Sequence, residues 1–142
     1  MHVALEQAQL AQSRGEVPVG AVIVKDGQLI SASGNLVIDS HDPTAHAELL
    51  AIRAACQLLK TERLVGCDLY VTLEPCPMCA QAISFARIRR LYFGAYDPKG
   101  GGVENGARIF QQSSCHHKPE IYGGLNEQAC AALLKDFFAE LR

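Results

Sequence analysis

The chain has 142 residues, of which 49% are hydrophobic and 20% charged, with a formal net charge of −2. A length and balance of that kind fit one folded domain, residues 1–142, and exclude wholesale disorder; no apolar run nears the roughly 20 residues a membrane span needs. The near-neutral charge means that any nucleic-acid binding rests on a local basic patch.

The N-terminus, Met1-His2-Val3-Ala4-Leu5-Glu6, lacks a basic start followed by an apolar block, so no signal peptide is expected and the location expected is cytoplasmic. There the six cysteines point to metal binding or core packing rather than to a disulfide framework. In chain order, residues 3–14 show a helical period through Val3, Ala4, Ala8 and Ala11, stopped by Gly15. Residues 17–24 are β-branched and nearly all apolar, as in a strand covered on both faces. Asp26-Gly27 favours a tight type I′ turn, so residues 29–33 return antiparallel. Residues 34–43 read as polar loop. A helix is expected over 44–60, with an apolar stripe through Ala45, Leu49, Ile52, Cys56 and Leu59. Strands follow at 68–73 and 90–95 around a helix at 77–86, whose first turn holds Pro77, where the missing N–H costs nothing. Residues 98–106 are glycine-rich loop, 107–112 a short helix and 120–122 a short strand. The last helix carries Cys130, Leu133, Leu134, Phe137, Phe138 and Leu141 on one stripe. Strands alternating with helices predict an α/β fold, a three-layer α/β/α sandwich; the opening hairpin makes its central sheet, of about five strands, mixed rather than all parallel.

Two segments carry chemistry: Pro43-Thr44-Ala45-His46-Ala47-Glu48 and Glu74-Pro75-Cys76-Pro77-Met78-Cys79. Cysteines three apart at a helix start lie on one face, so both sulfurs reach one ion, and the helix N-terminus favours their thiolate form. Two thiolates with the imidazole of His46 suit zinc, and three protein ligands leave a fourth position open, the mark of a catalytic rather than a structural site. Glu48 lies about 200° around a helix from His46, which disfavours a fourth ligand on the same side. From the first turn it can still reach over the open position, where a carboxylate moves protons. His-x-Glu alone carries little information, and Cys-x-x-Cys alone fits a redox pair or two core cysteines equally well. The combination, with a strand between, matches a zinc deaminase signature. Glu74 fits either an acceptor that orients the loop or a plain strand-end polar residue. Cys56 and Cys130 fall on apolar stripes and read as core, Cys67 reads as structural, and Cys115-His116-His117 lacks the spacing of a second metal site.

Through these motifs, together with Glu16-Val17-Pro18-Val19-Gly20-Ala21-Val22, Asn35 and Leu69-Tyr70-Val71-Thr72-Leu73, the sequence resembles the cytidine deaminase superfamily over nearly its whole length. The zinc motif is common to deaminases of free cytosine, cytidine, deoxycytidylate and guanine. Gly94-Ala95-Tyr96-Asp97-Pro98-Lys99 and residues 131–138 are similar to the bacterial branch that deaminates adenosine in tRNA. The resemblance implies a cytidine deaminase-like fold and conversion of adenosine to inosine at the wobble position of a tRNA anticodon loop. It implies one zinc per chain on His46, Cys76 and Cys79, with Glu48 shuttling protons. It further implies substrate contacts from Asn35, the Ala47 backbone N–H, Asp97 and Phe138, and a homodimer. Pattern alone places Phe137 in the core. The loop at 100–106 departs from the commoner form in that branch. Arg87, Arg89, Arg90 and Lys99 are expected to form much of a basic patch for RNA, shared across a dimer. A deaminase of free guanine or cytosine and a non-catalytic zinc-binding RNA module stay open, although a closed structural site has no need of Glu48.

Overall fold

Asp26 and Gly27 both adopt positive φ, 50° and 76°, as a type I′ turn requires. Strand β1 (Gly20–Lys25) therefore folds back antiparallel on β2 (Gln28–Gly34). The computed structural model, described for residues 1–141, places helix α1 (His2–Ser13) before this hairpin. After it come α2 (Ala47–Leu59), β3 (Cys67–Leu73), α3 (Pro77–Phe85), β4 (Arg90–Ala95), a 3-10 turn (Ile109–Gln111), β5 (Glu120–Gly123) and α4 (Glu127–Glu140). The sheet runs β2-β1-β3-β4-β5. Strand β1 is antiparallel to both neighbours, and β3, β4 and β5 are parallel. Helices α1 and α4 pack together on one face and α2 and α3 on the other, the three-layer mixed sandwich expected. Among the described residues no helix is long and apolar enough to cross a membrane.

Small residues set the layer spacing. Ala4, Ala8 and Ala11 are fully buried and lie directly over Gly20 and Gly34. On the opposite face α2 buries Ala47, Ala51 and Ala55 with Ile52, whereas Leu49, Cys56 and Leu59 are only half-buried. The expected stripe is thus displaced around the helix, because alanines allow a closer approach to the sheet than leucines do. Helix α2 also starts later than expected. The Asp42 carboxylate accepts the Thr44 N–H at 2.8 Å and the Thr44 hydroxyl at 2.7 Å, which holds residues 42–46 in a turn. His46 becomes the N-cap, in an extended conformation. Strand β1 begins at Gly20 rather than at residue 17, since Pro18 has no N–H and the Val19 N–H folds back to the Val17 carbonyl at 2.8 Å. The helix expected at 107–112 contracts to the 3-10 turn. On α4, Cys130 and Phe137 enter the core and Leu133 and Leu134 are half-buried, but Phe138 is 47% and Leu141 68% exposed, so the C-terminal end of the stripe faces outward.

A Cβ at Gly20 would overlap the Ala4 carbonyl oxygen and stand 2.6 Å from the Ala8 nitrogen. Gly20→Ala is expected to cost about 3 kcal/mol, the upper end of overpacking, seen as a lower urea midpoint at unchanged slope. A wild-type midpoint would contradict this account of the α1 contact.

Candidate active site

The N-termini of α2 and α3 meet at one point. His46 caps α2, Cys76 caps α3, and Cys79 sits in the first turn of α3 behind Pro77. His46 Nδ1 lies 3.6 Å from Cys76 Sγ and 3.5 Å from Cys79 Sγ. A tetrahedral zinc with Zn–S of about 2.3 Å and Zn–N of about 2.0–2.1 Å would hold sulfur and nitrogen about 3.5 Å apart, so the donor set fits that ion. No other group of three ligand side chains gathers in this way among the described residues. Cys115-His116-His117 instead anchors a loop. His117 Nε2 donates to the Ile88 carbonyl at 2.7 Å, and Ser84 Oγ donates to the His117 carbonyl at 2.8 Å.

The charges at this point call for a cation. The Cys79 thiol donating to Cys76, aided by His46, brings the Cys76 thiol down to about 4, against its burial. The same contact, with burial and the nearby Glu48, pushes Cys79 far up. Crowded in this way, the two sulfurs resist ionising together, and a divalent ion between them would allow both to be thiolates. The Cys76 thiolate in turn holds the His46 ring above its ordinary value. Glu48, in the first turn of α2, is 4% exposed. Burial, joined by the negative Cys76, pushes its carboxyl up to about 7.

A cleft of about 360 Å³ opens over these groups, lined by Val19, Asn35, His46, Glu48, Cys76 and Asp97 among others. It adjoins a groove of about 740 Å³ along α4, lined by Tyr96, Lys99, Leu134, Phe138 and Leu141; Val17, Leu73 and Asp97 border both. Phe138 thus faces the groove while Phe137, edge-on to it at 5.3 Å, is core. Asn35 borders the cleft, but its Oδ1 accepts the Ala47 N–H at 2.8 Å. The N–H that the resemblance offers to a base is therefore already engaged, and Ala47 itself is fully buried.

Two buried carboxylates hold the cleft walls. Glu16, 1% exposed, accepts the N–H groups of Ile38 and Asp39 at 3.1 and 2.9 Å. Glu74, 2% exposed, accepts from Asp97, Val103, Glu104 and Asn105. Burial alone would raise the Glu74 carboxyl, but the donors of Asp97, Asn105 and Glu104 outweigh it and hold it below its ordinary value. Glu74 is therefore an acceptor that orients the loop, one of the two readings open from sequence. Glu16 opens one of the segments that carry the family resemblance, but the sequence assigned it no role; its further signal is a carboxylate set beside the apolar run Val17-Pro18-Val19.

The arginine patch is not at the cleft of this chain. Arg90 opens β4 and Asp97 follows its far end, so about 16 Å of strand separates them. Arg89 is paired in bidentate fashion with Asp68, at 3.0 and 2.9 Å, and Arg90 with Glu120 at 2.9 Å. Both cations are engaged by carboxylates of this chain. Lys99 is the member of the expected patch that borders the groove.

A family model described as the cytidine and deoxycytidylate deaminase zinc-binding region matches residues 1–95. The tRNA-specific adenosine deaminase of Agrobacterium fabrum (strain C58) is 59% identical over 142 residues, covering all of this chain and 93% of that protein. A solved structure from work on A-to-I editing by tRNA:A34 deaminases at the wobble position is similar at a TM-score of 0.93 and 60% identity, over 94% of this chain and 97% of that one. The guanine deaminase of Nitrosomonas europaea is similar at 0.83 but only 25% identical, over 97% of this chain and 82% of that one. With a family model over residues 1–95 and a relative 59% identical over the whole chain, the chain belongs to the cytidine and deoxycytidylate deaminase family and, within it, to the tRNA-specific adenosine deaminases.

Proposed function

We propose that residues 1–142 act as one zinc-dependent hydrolase domain, converting adenosine to inosine at the wobble position of a tRNA anticodon loop in the cytoplasm. The observation that carries this reading is the continuity of the cleft over His46, Cys76 and Cys79 with the wider groove along α4. A free base calls for a pocket that closes around it. A base still joined to its neighbours needs an exit for the chain, and the groove supplies one. Loop nucleotides are already partly unstacked, so presenting one to the cleft costs less than extracting it from a duplex.

Zinc on His46, Cys76 and Cys79 would supply a Lewis acid that acidifies water, with one coordination position left for chemistry. Burial raises the Glu48 carboxyl toward neutrality, which suits it to hold or release a proton there. It is suited both to accept a proton from the attacking water and to deliver one to the departing amine. Asn35 and Asp97 are the polar groups facing the nucleotide. The Ala47 N–H reaches it through the Asn35 side chain, to which it is bonded. Phe138 and Tyr96, 47% and 37% exposed, offer stacking surfaces to flanking bases, and Lys99 a charge for phosphate. The reading as a homodimer is supported by a hollow between α2 and α3, where Phe85 is 69% exposed beside Leu49 and Ala82, with Arg53 and Glu62 at the same place.

An anticodon stem-loop with adenosine at the wobble position is expected to yield inosine on incubation with the protein. Ammonia released from free guanine or cytosine, with the stem-loop untouched, would defeat the reading. Glu48→Gln is expected to keep about one zinc per chain. Its turnover should fall about 10²- to 10⁴-fold. A fully active variant would remove Glu48 from the proton path.

A further inference from the structure

We propose that Glu74 is a positioning residue for the substrate: it fixes Asp97, and the loop behind it, as the wall shared by the cleft and the groove. The inference rests on the RNA-editing reading above. Glu74 Oε2 accepts three consecutive backbone N–H groups, those of Val103, Glu104 and Asn105, at 3.1, 2.9 and 3.0 Å. Such a run of converging N–H groups is an anion nest, filled here by a side chain of the same protein. Glu74 Oε1 accepts the Asp97 N–H at 3.0 Å and Asn105 Nδ2 at 2.7 Å. Five donors saturate the carboxylate, so it has no lone pair to offer a substrate. Its influence passes through the groups it holds.

Those groups lead directly to the substrate wall. Asp97 Oδ1 accepts the N–H groups of Lys99 and Gly100 at 3.2 and 2.9 Å, and the Asp97 carbonyl accepts that of Gly101 at 2.9 Å. The Gly102 N–H donates to the Pro75 carbonyl at 2.8 Å. A Cβ at Gly101 would stand 2.6 Å from Glu74 Cδ, and one at Gly102 2.5 Å from the Pro77 nitrogen. The glycines therefore seat the loop against the same turn that presents Cys76. Asp97 depends on Glu74 for its backbone position, whereas His46, Cys76 and Cys79 are held by their own helices. Loss of the Glu74 carboxylate should thus displace the substrate wall and spare the metal ligands.

Glu74→Gln turns an amide NH₂ toward these donors. Zinc content is expected to stay at one per chain, KM for the wobble-adenosine stem-loop to rise about tenfold, and kcat at saturating RNA to change by less than about threefold. Glu74→Gln/Asn105→Asp returns an acceptor to the new amide from position 105 but none to the Asp97 N–H. That double variant is expected to regain melting temperature while KM stays raised. Recovery of KM along with melting temperature would overturn the inference, as would loss of zinc in Glu74→Gln. Should Glu74→Gln fail to fold, Asn105→Ala withdraws one donor beside Asp97 and is expected to raise KM about threefold; an unchanged KM there would overturn the inference equally. A wild-type protein that makes no inosine defeats the RNA reading instead, and the two failures are distinct.

Discussion

His46 and Cys76 are 30 residues apart in the chain, yet their donor atoms stand 3.6 Å apart, and the layering of the fold closes that distance. Helix α2 lies over β1 and β2, and α3 crosses from β3 to the parallel β4 on the same face. Both helices begin toward the end of the sheet where β3 gives way to Cys76. Two positive helix ends brought together repel unless negative charge lies between them. The sulfur of Cys76, whose thiolate is favoured there, supplies it. The same field favours any negative charge that develops over the open side of the site, so the geometry that assembles the ligands also prepares the chemistry.

A cleft built from loops needs fixed walls, and here each wall is tied to a buried carboxylate. Glu16 holds the stretch that leads to His46, and Glu74 the stretch from Asp97 to Asn105. Among the described residues neither carboxylate accepts a hydrogen bond from a cationic side chain; backbone N–H groups satisfy both, apart from the Asn105 amide at Glu74. Loop N–H groups that have no ladder to join are thereby paired out of water. The glycine-rich segment is consequently a buttress. Gly101, Gly102 and Val103 are buried, and the side-chain-free positions are those where the loop presses on Glu74 and Pro77.

The gathering of His46, Cys76 and Cys79, with Glu48 beside them, was legible because its pattern is local: two short motifs, each at a helix start. The hairpin turn was legible for the same reason, since Asp26-Gly27 dictates its own conformation. What stayed hidden depended on partners remote in sequence. The carboxylate partners of Arg89 and Arg90 come from 21 and 30 residues away, so these two members of the expected patch carry ion pairs that their neighbours in sequence do not reveal. The N–H partners of Glu16 and Glu74 lie 22 to 31 residues away. The stripe of α2 was misjudged because leucines outweigh alanines in a hydrophobic pattern, while a sheet at close range prefers the alanines. On the α4 stripe the pattern placed Phe137 in the core, where it lies, but Phe138 at the groove came from resemblance alone, since amphipathic spacing cannot tell a packed face from a binding one.

One imidazole and two cysteine sulfurs converge at the site, with one side left open toward the cleft. X-ray absorption at the zinc edge of the isolated protein measures this directly. The expected result is two sulfur scatterers at about 2.3 Å and two nitrogen or oxygen scatterers at about 2.0–2.1 Å. A shell of four sulfurs, or one of nitrogen and oxygen alone, would contradict it.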